Sequence, residues 1–260
     1  MNKAELKDLY AEELTLLKRI HDFLKEQKTE KAERVEKVTL LLLFRICSSL
    51  YSALLLTVAA FRKNSVTVFK LSIGIVLRCA FTDCIFSLYI QRVDRNRACE
   101  ELDIRTIDYA NSLLDRREVY RDQVKSAEVA FDDDFIDKMW ESTMEDFFLH
   151  LLDFDATKEG LKLTKQSKSQ LKAVGFSNVK SLGIKEQKDF LINQERLEKV
   201  ANQLYHYYKY FSQYEHFSEN GQGDVLASLE DGNDNIHFPS AIRALSSGVE
   251  EVIKYLMSSV

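Results

Sequence analysis

The chain has 260 residues, a net charge of −5, one proline and eight glycines. Because proline and glycine interrupt helices, their scarcity favours long, unbroken helices. The acidic balance excludes a general electrostatic attraction to nucleic acid, and the four cysteines have neither the CxxC spacing of a zinc site nor the pattern of a disulfide framework. The charged N-terminus lacks a signal-peptide core, so we expect a cytoplasmic protein.

The first predicted element is an amphipathic helix from Lys3 to about Glu30. Its apolar residues recur mostly at a spacing of three, which is typical of a helix with one buried stripe. That predicted stripe consists of Leu6, Leu9, Leu14, Leu17, Ile20 and Phe23.

Two long apolar segments follow, at about 34–61 and 65–91, joined by the short sequence RKNS. So short a connection predicts an antiparallel helical hairpin over about 34–91, at the centre of an all-α bundle of six or seven helices. The second segment carries three charges, each costing about 2.5–3.5 kcal/mol at the centre of a membrane. We therefore expect no membrane insertion, and a membrane-associated protein that uses the 38–90 hairpin is the less favoured alternative.

The charged residues within the hairpin make specific predictions. With the turn centred near residue 64, facing residues have numbers that sum to about 128, so Arg45 and Asp83 should form a structural ion pair. Arg78 has no acid on its own helix face or on the facing stretch near Leu50. It should therefore contact an anion or a carbonyl elsewhere in the fold, or bind a ligand, which makes it a candidate site residue.

The middle of the chain continues as charged amphipathic helices at about 97–129 and 132–154. Residues 155–183 are less regular and rich in lysine, and we expect an insertion within a single helical domain of residues 1–260. Within it, Lys165 and Lys168 are candidate phosphate contacts; a simple solvated insertion is the alternative. Further helices are predicted at about 185–217 and from Phe238 onwards.

A polar cluster is predicted near the end of the helix at 185–217. Tyr208, Ser212 and His216 follow at intervals of four, so they share one helix face. A histidine beside a hydroxyl can act as a general base or donate to a phosphate, although a simple helix-end role for His216 is the alternative. Further candidate ligand contacts adjacent to this face are Glu215, Ser218 and Asn220.

Two stretches carry a family resemblance. LSIGIVLRCAFTDCIFSLYI and YKYFSQYEHFS resemble the arginine-bearing helix and the later serine and histidine helix of an uncharacterised all-helical bacterial family, which is loosely similar to the HEPN superfamily. The resemblance covers about 40–95 and 195–255, and implies site roles for Arg78, Ser212, His216 and Ser218. Thr82 stands where that family has a glutamate. The HEPN spacing of arginine and histidine on one helix is absent, so RNA cleavage by that mechanism is not expected.

Together these patterns predict a cytoplasmic helical bundle with a polar site built from Arg78, Ser212 and His216. The expected ligand carries a phosphate group or is a nucleic acid, and the resemblance implies a defence or toxin-type effector. The sequence does not decide whether any reaction is catalysed, and it shows no cofactor or metal motif. The alternative is a non-enzymatic interaction protein, and we expect a homo-oligomer in solution.

Overall fold

The computed structural model describes residues 2–27, 32–63, 66–105, 154–157, 160–163, 169, 181–194, 196–212 and 238–258. Within these residues lie seven helices and one two-stranded sheet, which confirms the predicted all-α bundle and adds a short β-hairpin to it. In chain order the elements are α1 (Lys3–Glu26), α2 (Arg34–Lys63), α3 (Val66–Arg92), α4 (described over 95–105), β1 (Phe154–Thr157), β2 (Gly160–Leu163), α5 (Ile184–Ile192), α6 (Glu198–Ser212) and α7 (Phe238–Ser258).

The chain divides into two compact units. Unit 1 combines residues 1–93 and 183–260, and therefore contains α1, α2, α3, α5, α6 and α7. Unit 2 consists of residues 94–182 and contains α4 and the β-hairpin. The prediction of one helical domain over 1–260 stays a prediction.

The start of α1 is fixed by local hydrogen bonds. The Asn2 side chain accepts from the backbone N–H groups of Ala4 and Glu5 at 2.9 and 3.0 Å, and the Glu5 carboxylate accepts from the Asn2 N–H at 2.7 Å. This capping box satisfies donors that have no partner within the helix. The buried side of α1 consists of Leu6, Leu9, Glu13, Leu16 and Ile20.

The predicted hairpin of α2 and α3 is the most extensive helix pair in unit 1. α3 is the central element of unit 1, because α5, α6 and α7 also pack against α3. By length and composition alone, α2 and the Phe69–Arg92 part of α3 could each cross a membrane. In the most apolar 18-residue stretch of each helix, however, 44% of α2 and 72% of α3 is buried in the protein. Core helices of soluble proteins have the same properties, so the location of the protein stays a prediction.

The prediction of a single helix over about 185–217 is wrong. The structure has α5 ending at Ile192 and α6 beginning at Glu198. Between them the Asn193 side chain donates to the Asp189 carbonyl at 2.8 Å, and Arg196 has a φ of 72°, in the left-handed region that no α-helix contains. Residues 213–217 lie outside the described part of the chain.

Unit 2 shows how α4 holds a chain segment far along the sequence. The Glu101 carboxylate accepts from the Leu182 N–H at 2.9 Å, while Arg105 donates to the Leu182 carbonyl at 3.2 Å. Glu101 and Arg105 also pair with each other at 3.3 Å. In the lysine-rich stretch, β1 and β2 pair antiparallel, with Phe154 opposite Leu163 and Thr157 opposite Gly160.

Candidate functional site

Aromatic packing holds α6 against α3 and so positions the candidate site. The Phe81 ring of α3 lies 5.8 Å from the ring centroids of both Tyr207 and Phe211 on α6. Phe211 in turn contacts Phe238, the first residue of α7, at 5.4 Å. Because Phe81 and Phe211 are fully buried, this cluster fixes the spacing of the helices on which the polar site residues stand.

Arg78, Tyr208 and Ser212, all predicted site residues, meet between α3 and α6. The Arg78 Nε donates to the Ser212 Oγ at 3.1 Å. The Arg78 guanidinium carbon lies 5.4 Å from the centroid of the Tyr208 ring, within the range of a cation–π contact. Arg78 and Tyr208 are half-buried and Ser212 is buried, so the arginine is held at the edge of the core.

The hydroxyl of Ser212 links Arg78 to the backbone of α6. It donates to the Tyr208 carbonyl at 2.7 Å while its oxygen accepts from Arg78. Its proton is therefore engaged by a backbone carbonyl, which is not a base that could activate it as a nucleophile. In the described geometry Ser212 orients the guanidinium, and a catalytic role for Ser212 stays a prediction.

Thr82, the residue that stands where the resembling family has a glutamate, does not reach the guanidinium with its hydroxyl in this geometry. The hydroxyl instead donates to the Arg78 carbonyl at 3.0 Å, a common bond within helices. Two side chains that contact Arg78, Ser212 and Tyr208, come from α6, across the helix interface.

The structure brings Arg45 and Asp83 together, as the hairpin register predicts. The Arg45 Nε lies 3.2 Å from an Asp83 carboxylate oxygen, although Asp83 is nearly buried and the Arg45 side chain is mostly exposed. The pair thus ties α2 to α3 at one register. Burial in the core raises the pKa of the neighbouring Cys84 thiol, and the Asp83 carboxylate adds a smaller rise.

The remaining predicted site residues lie outside the described part of the chain. These residues are Lys165, Lys168, Glu215, His216, Ser218 and Asn220. The pairing of His216 with Arg78 is therefore still a prediction. Within the described residues, no group of three or more histidine, cysteine or acidic side chains could hold a metal ion.

Glu13 is a buried titratable residue that the sequence reasoning missed. It is fully buried on α1, and burial raises the pKa of its carboxyl from 4.5 to about 8, with a smaller opposing effect from the Thr57 hydroxyl. That hydroxyl donates its proton to the Ala53 carbonyl at 3.0 Å, and neither Glu13 oxygen has a hydrogen bond of good geometry. Near neutral pH, Glu13 is therefore mostly an uncharged carboxylic acid within the core.

The sequence did contain a signal for Glu13. Residues 6, 9, 13, 16 and 20 follow at spacings of three and four, whereas the predicted stripe steps five residues from Leu9 to Leu14. The structure buries the first set and leaves Leu14 and Leu17 half-buried. Counting only apolar residues moved the predicted stripe to one side of the true buried face.

Comparisons of the chain with protein-family models, with curated proteins and with solved structures find no match. The HEPN-like resemblance accordingly stays a prediction. Any statement about function must come from the geometry of the described residues.

Proposed function

We propose that this protein is a helical bundle that recognises a phosphate-bearing ligand, nucleic acid above all, at the site around Arg78. The observation that supports the proposal is the orientation of this arginine by two partners from another helix. Ser212 accepts from its Nε, and the Tyr208 ring lies beside its guanidinium.

The physical basis is the chemistry of arginine. Its planar guanidinium presents a fork of donors that matches two phosphate oxygens, and it stays charged at all physiological pH values. A guanidinium that is already oriented loses less side-chain entropy when it binds. The half-burial of Arg78 also strengthens its interaction with an anion relative to a fully solvated side chain.

Tyr208 extends the proposal towards nucleic acid. It is half-buried and stands on the same helix face as Ser212, and a tyrosine beside an arginine offers both an aromatic surface for a base and a charge for its phosphate. Lys165 and Lys168, which are predicted to contact phosphate, would add to the electrostatic attraction between the protein and the nucleic acid. The role as a defence or toxin-type effector belongs to this proposal and depends on nucleic-acid binding.

The test is the binding of a short fluorescein-labelled single-stranded RNA, measured by fluorescence anisotropy at about 50 mM and about 200 mM salt. Native protein should bind more weakly as salt rises, because phosphate contacts release counterions. Arg78→Lys keeps the charge but loses both Nε and the fork, so it should weaken binding about tenfold, as expected for a hydrogen bond to a charged group.

Arg92→Lys is the matched control. Arg92 stands on the same helix and lies 5.0 Å from the Tyr255 ring, so the same substitution is made beside an aromatic ring at a different place. It should leave RNA binding unchanged. Ser212→Ala, which keeps the charge of Arg78 but removes its orienting partner, should weaken binding by a smaller factor.

Two results would overturn the proposal. The first is no binding by native protein at the lower salt concentration. The second is equal binding by native protein, Arg78→Lys and Ser212→Ala. Melting temperatures of the variants separate lost binding from lost folding, and Ser212→Ala remains informative if Arg78→Lys proves unstable.

A further inference from the structure

The outward side of α2 carries large exposed apolar residues, with the exposed Ser48 and Ser52 between them, on a helix whose opposite side is buried. Leu41, Phe44, Tyr51 and Leu55 are 63%, 61%, 54% and 52% exposed. They follow at spacings of three, seven and four residues, so they lie on one helix face. Single exposed apolar residues are ordinary, but an aligned set of four large ones marks a binding surface.

α1 widens this surface beside α2. A cleft of about 510 Å³ is lined by Leu17, Cys47 and Tyr51 together with the polar residues Lys18, His21, Ser48 and Ser52. A second cleft, of about 300 Å³, includes Tyr10 and Phe61, both about 40% exposed. We call this combined side of α1 and α2 the apolar face; it includes Tyr10, Leu17, Leu41, Phe44, Tyr51, Leu55 and Phe61.

Cations border the apolar face. Lys7 and Lys18 of α1 line the two clefts, and Lys37 and Arg62 stand at the two ends of the α2 stripe. All four are exposed. Lys37 and Arg62 are 25 positions apart, which places them about 37 Å from each other along the helix. We call these four residues the basic rim.

The stripe itself carries no carboxylate from α2. α2 contains one acid, Glu36, which is turned about 100° from Lys37. On α1, Glu12 pairs with Arg243 of α7 at 2.8 Å, while Asp22 lies 3.5 Å from His21, a residue that lines the larger cleft. In a chain with a net charge of −5, the α2 stripe thus has a cation at each end and no acid of its own helix on it.

We propose that the apolar face docks on the surface of an anionic lipid bilayer. A helix with large apolar side chains on one side and cations at its border lies in the interface, with apolar groups among the acyl chains and cations at the headgroups. A second copy of this chain fits less well, because its basic rim would meet a face bordered by the same charge. Surface docking differs from the insertion of the α2–α3 hairpin, which the buried fraction of α3 disfavours.

The test is flotation of the full chain with vesicles of phosphatidylcholine alone or with phosphatidylserine added. We expect native protein to float with the anionic vesicles, and less so as salt rises. Phe44→Ser should reduce the partition coefficient about tenfold, because a large apolar group no longer enters the acyl region. Met257→Ser, which changes an equally exposed apolar residue on α7, should have no effect.

A second variant tests the contribution of the basic rim to binding anionic vesicles. Lys37→Gln combined with Arg62→Gln should reduce binding about 25-fold, since each cation near an anionic surface contributes about a fivefold factor. Lys209→Gln, at an exposed position on α6, is the control and should bind like native protein. All these positions are exposed, so circular dichroism and melting should show folded variants.

Two results would overturn the proposal. One is no flotation of native protein with anionic vesicles at low salt, or equal flotation of native protein and Phe44→Ser. The other is a dimer in light scattering that Phe44→Ser dissociates, together with no flotation, because a second copy would then cover the apolar face.

Discussion

Replacing Glu13 by glutamine should change how the stability of this protein depends on pH. Glu13 is fully buried, and its carboxyl has a pKa of about 8 in the folded protein against 4.5 when solvated. Glutamine has nearly the same shape but does not ionise. The comparison therefore isolates the energy of keeping one carboxyl uncharged inside the core.

The direction of the pH dependence follows from proton binding by Glu13 in the folded and unfolded states. Below about pH 4.5 both states carry the proton, so Glu13 makes its full contribution to stability. As pH rises, the unfolded chain releases the proton first, and the folded protein loses about 1.36 kcal/mol per pH unit until its own carboxyl ionises near pH 8. From about pH 5.5 to about pH 8.5 the loss is about 3 kcal/mol.

The assay is urea unfolding of native protein and Glu13→Gln across that range. The stability of the variant relative to native protein should rise by about 3 kcal/mol with pH, because other titrating groups contribute equally to both proteins. Glu12→Gln is the control, since this neighbour pairs with Arg243 at the surface and should differ from native protein by less than about 1 kcal/mol throughout. A constant difference between native protein and Glu13→Gln would refute the reasoning.

Two further substitutions test the core. Arg45→Met should destabilise the protein by about 1–3 kcal/mol, because the buried Asp83 carboxylate loses its contact with the Arg45 guanidinium, while Asp83→Leu should cost less because Arg45 is mostly exposed. A double-mutant cycle from thermal unfolding measures the coupling, and additive losses would show that the two side chains do not interact. Gly248→Ala places a Cβ 2.7 Å from the Cys84 sulfur and should cost about 1–3 kcal/mol in urea unfolding, against almost nothing for the exposed Ser247→Ala; equal stability would show that the helices can separate there.

Much of the fold follows from the sequence because its signals are local. The spacing of apolar residues and the short RKNS connection predict α2 and α3 within a few residues of their observed ends. The same register predicts the contact of Arg45 with Asp83, since a hairpin with a known turn has one set of facing positions. The break between α5 and α6 left no comparable signal, because the left-handed residue there is an arginine and not a glycine.

The candidate site was only partly predictable, for a reason that Arg78 illustrates. Sequence reasoning could show that no acid on its own helix face or on the facing stretch of α2 would satisfy it, which pointed to a partner elsewhere. It could group Tyr208 with Ser212 by their spacing of four residues. That these residues face Arg78 depends on the aromatic packing between α3 and α6, which no local pattern encodes.

The burial of Glu13 and the exposure of the apolar face were not predicted from the sequence, because both depend on how the helices pack. The spacing places Glu13 on the buried face of α1, but a carboxylate in a helix is ordinarily exposed, so the packing of α2 and α7 against α1 was needed to establish its burial. In α2, 18 of the 24 residues from Val38 to Phe61 are apolar, and nothing in the sequence distinguishes the exposed Leu41 and Phe44 from their buried apolar neighbours. The packing of α1 and α3 decides that the side with Leu41 and Phe44 stays exposed.

The most direct measurement of ligand recognition at this site is the NMR signal of the Arg78 Nε–H group, assigned by comparison with Arg78→Lys. The hydrogen bond to Ser212 should protect this proton from exchange, which makes it observable. On titration with the short single-stranded RNA used above, the Arg78 signal should shift in proportion to binding while that of Arg92 stays in place. RNA binding that leaves the Arg78 signal unchanged would show that the ligand is recognised elsewhere.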